Sequence, residues 1–128
     1  MNKAPLAYVE HAAIYVKDIK WHIRFFEDVL ALGIRQMNGT PEAPTNVWLY
    51  GGIQLLPKED FNGPEGRLNH LGLMVDDPEQ AVKKAAAWNV KMHPEKENWF
   101  YLPDGLLIEL LKAQPGSIAD FFNVKARG

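Results

Sequence analysis

The chain has 128 residues, close to the commonest domain size, and its 47% hydrophobic, 11% aromatic and 23% charged composition is globular and excludes disorder as the main state. Cysteine is absent, which excludes disulfides, zinc–thiolate sites and thiol nucleophiles, so any metal must be held by His, carboxylates, amides or water. The 14 basic and 16 acidic residues nearly cancel and are interspersed, so no basic stripe is available for nucleic acid.

The first element is the apolar run of residues 9–18, a strand ending at Asp18. Asp18 is the expected N-cap of a helix whose apolar stripe is Ile19, His22, Ile23, Phe26, Val29 and Leu30, with Gly33 as the stop. Strand material follows at residues 33–38. A hairpin comes next, residues 47–50 and 53–56, turned at Gly51-Gly52. Residues 58–67, with Pro, Asn and Gly among mixed charges, read as a linker.

The order then repeats. A second strand-length run closes at Asp76-Asp77. Asp77 caps a shorter helix with Pro78 in its first position, Gln80 completing a capping box, and Ala81, Val82, Ala85 and Trp88 as its stripe. Residues 90–93 are the next strand. Residues 99–102 and 106–111 form a hairpin on Pro103-Asp104-Gly105. A tail after Pro115 carries a short helix around residues 118–122 that packs Phe121 or Phe122 on the body. No apolar run approaches the roughly 20 residues that span a bilayer, and residues 1–5 lack a signal-peptide core, so the expectation is a cytoplasmic protein with no membrane partner.

The two halves share more than element order. His11 and His70 both open the pattern His-x4-Val-x-Asp. The chain is therefore read as one α+β domain of two tandem βαβββ modules, residues 7–57 and 68–114, with the tail at 115–128. Strand alternation puts His11 on one face with Val9, Ala13 and Tyr15, while Ala12, Ile14 and Val16 pack under the helix. His70 shares a face with Leu68, Gly72 and Met74. In the fourth strands, Gln54 interrupts Ile53-Gln54-Leu55-Leu56 and Glu109 interrupts five aliphatic residues. An unpaired carboxylate buried there would cost several kcal/mol. If the first and fourth strands are neighbours, His11, Gln54, His70 and Glu109 converge as ligands for one divalent metal: Fe, Mn, Co, Ni or Zn.

With these residues in place the chain resembles the vicinal oxygen chelate superfamily, the glyoxalase–bleomycin resistance–dioxygenase fold. The resemblance covers residues 8–114. It rests on Val9-Glu10-His11, Asn69-His70-Leu71-Gly72 and Leu102-Pro103-Asp104-Gly105 before Ile108-Glu109-Leu110. It implies a cupped, mostly antiparallel eight-stranded sheet, built within one chain or across a homodimer. The set His11, Gln54, His70, Glu109 is similar to that of methylmalonyl-CoA epimerase and glyoxalase I. The resemblance therefore implies a metal-dependent isomerase, epimerase or lyase that moves a proton beside a carbonyl through a metal-stabilised enolate, with Glu109 doubling as base. The chain is short for a coenzyme A or glutathione clamp, so a small hydroxy acid, keto acid or sugar-like substrate fits as well.

Plainer roles compete. Glu109 could pair with Arg67 or Lys112, and Gln54 could be a hydrogen-bonded core amide. His22 and His93 read as structural or surface residues. The four Trp read as core, with Trp48 and Trp99 as alternative pocket walls. Arg67 and Lys58 read as solvated, or as contacts for a substrate carboxylate. Two other functions fit the fold: a non-haem iron dioxygenase using His11, His70 and Glu109 as a facial triad, and a metal-free resistance-type binding protein. Fosfomycin-resistance enzymes typically have Thr two residues after the first His, where this chain has Ala13.

Overall fold

The computed structural model describes residues 11–63, 68 and 70–127; the expectations placed on Val9, Glu10, Arg67 and Asn69 lie outside the described residues. The first module runs β1 (Ala12–Val16), α1 (Ile19–Leu30), β2 (Ile34–Gly39), β3 (Pro44–Leu49) and β4 (Ile53–Pro57). The second runs β5 (Leu71–Val75), α2 (Pro78–Ala85), a turn of 3-10 helix (Ala86–Trp88), β6 (Lys91–Met92), β7 (Trp99–Tyr101) and β8 (Leu107–Lys112). A short α3 (Ser117–Phe122) follows.

Local chemistry accounts for the helix starts. Asp18 caps α1 by accepting from the Trp21 backbone N–H at 3.1 Å, and Asp77 caps α2 by accepting from that of Gln80 at 3.1 Å. The end of α1 differs from expectation. Ala31, not Gly33, takes the left-handed conformation (φ 58°), and the N–H groups of Ala31 and Leu32 bond back to the carbonyls of Glu27 and Phe26. Continuing the stripe through Leu32, which is buried, outweighs the strain of a left-handed alanine. Gly51 and Gly52 both have positive φ, 96° and 93°, which is what the tight β3–β4 turn needs from glycine.

The eight strands form two four-stranded sheets of identical plan, ordered β1-β4-β3-β2 and β5-β8-β7-β6. In each, the first strand lies parallel to the fourth and the other two pairings are antiparallel. The registers coincide as well. Ala12 faces Ile53 and Ala13 faces Gln54 in the first sheet; Leu71 faces Ile108 and Gly72 faces Glu109 in the second.

One hydrophobic cluster takes residues from both modules. Ile14, Val16, Val47, Leu49, Ile53 and Leu55 cover one side of the first sheet and are buried with Phe26 and Val29 of α1. Phe100, Ile108 and Leu110 do the same in the second, with Ala81 and Ala85 of α2. Phe25 of α1 reaches across. It stacks on Trp21 at 5.1 Å and meets Trp88 and Phe100 edge-on at 5.8 and 6.2 Å.

Beside these rings lies a buried polar tie between the modules. His22 is 2% exposed. Its Nδ1 is 2.7 Å from the Asp18 carbonyl oxygen and its Nε2 is 3.2 Å from Asp104 Oδ2, on the β7–β8 turn. Both ring nitrogens thus face oxygens. Burial pushes the Asp104 carboxyl up, but the adjacent His22 ring and the backbone N–H groups of Leu106 and Lys17 outweigh it and hold it below the usual carboxylate range.

An ionised Asp104 therefore stabilises the fold above its unfolded value near 3.8, and that contribution is lost as pH falls through the lower folded value. His22→Ala, which strands the carboxylate, should cost about 3 kcal/mol in chemical denaturation at neutral pH. Asp104→Asn should flatten the acid limb of stability against pH below about 4.

Candidate functional site

Strand register decides which side chains share the outer face of each sheet. On the first sheet Ala13, Gln54, Trp48 and Gln36 lie in one row across β1, β4, β3 and β2. His11 lies just before β1 begins. On the second sheet the matching row is Gly72, Glu109 and Trp99, with His70 two residues before Gly72. Trp48 and Trp99 are thus equivalent, each directly opposite the fourth-strand candidate, while Trp21 and Trp88 belong to the core.

The second row closes into a contact. His70 Nε2 is 3.2 Å from Glu109 Oε1, and the two side chains keep 31% and 23% of their exposure, so a dissolved ligand reaches both. His70 also packs on Trp99, ring centroids 4.6 Å apart. Of the two alternative partners for Glu109, Arg67 lies outside the described residues and Lys112 donates to the Asp76 carbonyl.

In the first row, Gln54 is 9% exposed and its Nε2 donates to Asn46 Oδ1 at 2.6 Å. Gln54 is therefore a hydrogen-bonded amide, as its plainer reading held. The bond uses the nitrogen and leaves the carbonyl oxygen as a donor atom. Asn46 carries no signal in the sequence. It is found only through the β3–β4 register, which puts it on the face of Trp48.

The remaining residues separate cleanly. His93 Nδ1 accepts from the backbone N–H groups of Glu95 and Lys96, both at 3.1 Å, so it shapes a turn. Lys58 lies over the Tyr15 ring at 5.0 Å. A cavity of about 430 Å³ follows β1 beside Phe61 and Leu68, and Asp104, the partner of His22, is the one charged residue among its described walls.

Among the described residues no three His, Asp or Glu side chains gather as a metal-holding group. Gln54 and Glu109 hold equivalent positions on the two sheets, and His70 meets Glu109.

No protein-family model matches the chain. It is 28% identical over 122 residues to the uncharacterized protein YwbC of Bacillus subtilis, covering 89% of this chain and 95% of that one. Among solved structures it is similar to the trypanothione-dependent glyoxalase I of Leishmania major, with a TM-score of 0.66, 22% identity, and 84% and 87% of the two chains covered. It is equally similar to the fosfomycin resistance protein FosX of Listeria monocytogenes, solved with Mn(II) and a dihydroxypropylphosphonic acid: TM-score 0.66, 17% identity, 88% and 94% covered.

The Asn46–Gln54 contact is open to a direct check. Asn46→Ala and Gln54→Ala should each cost about 1 kcal/mol, and a double-mutant cycle in urea should show them coupled.

Proposed function

Starting from the vicinal oxygen chelate fold, which the chain shares with glyoxalase I and FosX, we propose that it is a divalent-metal enzyme. In this reading it moves a proton beside a carbonyl of a small oxygen-chelating substrate. The observation that carries the reading is the His70–Glu109 contact, with Glu109 at the register position that Gln54 holds on the other sheet. Two imidazoles, a carboxylate and an amide oxygen form a donor set suited to Fe, Mn, Co, Ni or Zn. His11, Gln54, His70 and Glu109 would hold the ion. Bound there, it supplies positive charge at the substrate's oxygens and lowers the cost of negative charge developing on deprotonation.

The chain's own groups divide the remaining work. Glu109 takes the proton from the substrate carbon and returns it, using the carboxylate oxygen that His70 does not touch. His70 fixes the orientation of that carboxylate. Asn46 fixes the Gln54 amide so that its oxygen faces outward from the bond. Trp48 and Trp99 wall the site and limit water at the reacting carbon. Ala13 offers no hydroxyl where fosfomycin-resistance enzymes typically carry Thr, which favours proton transfer over that chemistry here.

In this reading the donors are gathered from two copies of the chain, so the functional unit is a homodimer. The outer faces support it: Tyr15 and Met74, at matching positions of β1 and β5, are 52% and 61% exposed.

Protein purified without chelator should carry a stoichiometric divalent metal by elemental analysis. His11→Ala, His70→Ala and Glu109→Ala should each lose most of it. Near-zero metal in the wild type sinks the proposal. With candidate α-hydroxy or α-keto acids in D2O, solvent deuterium should enter at the carbon beside the carbonyl, and Glu109→Gln should slow this about a hundredfold or more. Oxygen consumption without exchange would favour the dioxygenase instead.

A further inference from the structure

His93 does more than shape a turn, because of what that turn carries. The connection from β6 to β7, residues 93–98, closes on itself. The His93 N–H donates to the Trp99 carbonyl at 2.9 Å, and His93 Nδ1 accepts from the backbone N–H groups of Glu95 and Lys96. A side chain that collects the N–H groups two and three residues ahead is the bonding pattern that Asn, Asp, Ser and Thr supply in turns. An imidazole fills that part through a ring nitrogen that carries no proton, and it adds a ring that the smaller side chains lack. The His93 ring lies nearly parallel to Tyr101, with centroids 6.2 Å apart at 14°, and edge-on to Trp99 at 6.3 Å. Trp99 and Tyr101 alternate along β7 and so share one face of it.

The same turn delivers Lys96. Its N–H is one of the two that His93 holds, and its Nζ lies 4.5 Å from the centroid of the Trp99 ring. Trp99 packs on His70 with centroids 4.6 Å apart, and His70 Nε2 is 3.2 Å from Glu109. Contacts therefore run without a gap from His93, through Lys96 and Trp99, to His70 and Glu109. The turn is also tied to β8 beside Glu109. Asn98, left-handed at φ 64°, accepts on its carbonyl from the Leu110 N–H at 2.9 Å. The first module fixes its fourth-strand candidate directly, by the bond between Asn46 and Gln54. In the second module the residue two before the tryptophan is Glu97, which lies outside β7 and whose carboxylate has no donor to offer Glu109. The packing of Trp99 on His70 stands in its place.

We propose that His93 and Lys96 are positioning residues for the second module's half of the site: the turn they build fixes the Trp99 indole, and the indole fixes the plane of the His70 ring. The proposal deepens the reading of His70 and Glu109 as donors to a divalent ion and rests on it. A ligand imidazole brings its nitrogen lone pair to an ion in the plane of the ring, so a misplaced ring plane weakens binding without removing a donor. Support from the residues around a ligand is what holds such a ring in place.

The experiment uses the full chain, with His93→Ala, His93→Asn and Lys96→Met as variants. In chelator-treated protein, the ring-proton NMR signals of His70, assigned through His70→Gln, report its place beside the indole. His93→Ala should move them toward the values of a free imidazole, while the core signals of Phe25 and Trp21 stay in place. His93→Asn restores an acceptor for the Glu95 and Lys96 N–H groups and should return the His70 signals close to wild type. Lys96→Met keeps the turn, removes the ammonium and should move them the same way by less. In titration with Co(II) alone, affinity should fall about tenfold in His93→Ala and recover to within about threefold of wild type in His93→Asn. Unmoved His70 signals in His93→Ala overturn the proposal, as does an Asn variant that behaves like the Ala variant. If His93→Ala does not fold, Lys96→Met decides by the same signals, and unmoved signals there overturn it. Because these signals are read without metal, a wild type that binds no Co(II) defeats the metal assignment and leaves the positioning result to stand or fall separately.

Discussion

In each module the first strand lies parallel to the fourth, and the candidate site is a consequence of that pairing. A parallel pair cannot be joined by a tight turn, so a helix and two further strands must be threaded between them. The pairing brings residues about 40 positions apart onto neighbouring strands. Because the register is the same in both modules, the second residue of the first strand lies opposite Gln54 in one case and Glu109 in the other. A slip by one residue would turn Gln54 and Glu109 into the core and bring Leu55 and Leu110 out to the surface. The buried apolar rows, Ile14 with Leu55 and Val47, and Phe100 with Ile108, forbid that slip. Hydrophobic packing on one side of each sheet thereby fixes the chemistry on the other.

The packing between modules follows from the same division of faces. Helix α1 sends Phe25 to Phe100 of the second sheet, and His22 beside it holds Asp104 at the turn before β8. This buried pair joins the capping loop of one module to the hairpin that carries Glu109 in the other. Its weight is structural, but it restrains the strand on which the candidate base stands.

Much of this was legible in the residues. The duplication showed in His11 and His70, and the caps at Asp18 and Asp77 followed from side chains that compete for backbone donors. The strand-breaking polar positions, Gln54 and Glu109, marked the outer faces. What sequence could not show depends on contacts between distant segments. Ala31 in place of Gly33 as the helix stop depends on the burial of Leu32. His22 read as structural without its partner, because Asp104 looked sufficient as a turn residue. Asn46 beside Gln54 needs a three-dimensional register, and Arg127 above Trp48 needs the path of the tail. None of these has a local periodicity to betray it.

The central claim is that the two modules supply two halves of one site, completed by a second chain. Subunit complementation tests it most directly. His11→Ala and Glu109→Ala chains, each unable to hold metal alone, are mixed, exchanged and repurified as a mixed dimer. One of its two sites then combines an intact first module with an intact second module, so metal should return at one ion per mixed dimer, together with solvent exchange at the substrate carbon. A mixed dimer that forms and stays as metal-free as its parents would contradict the claim.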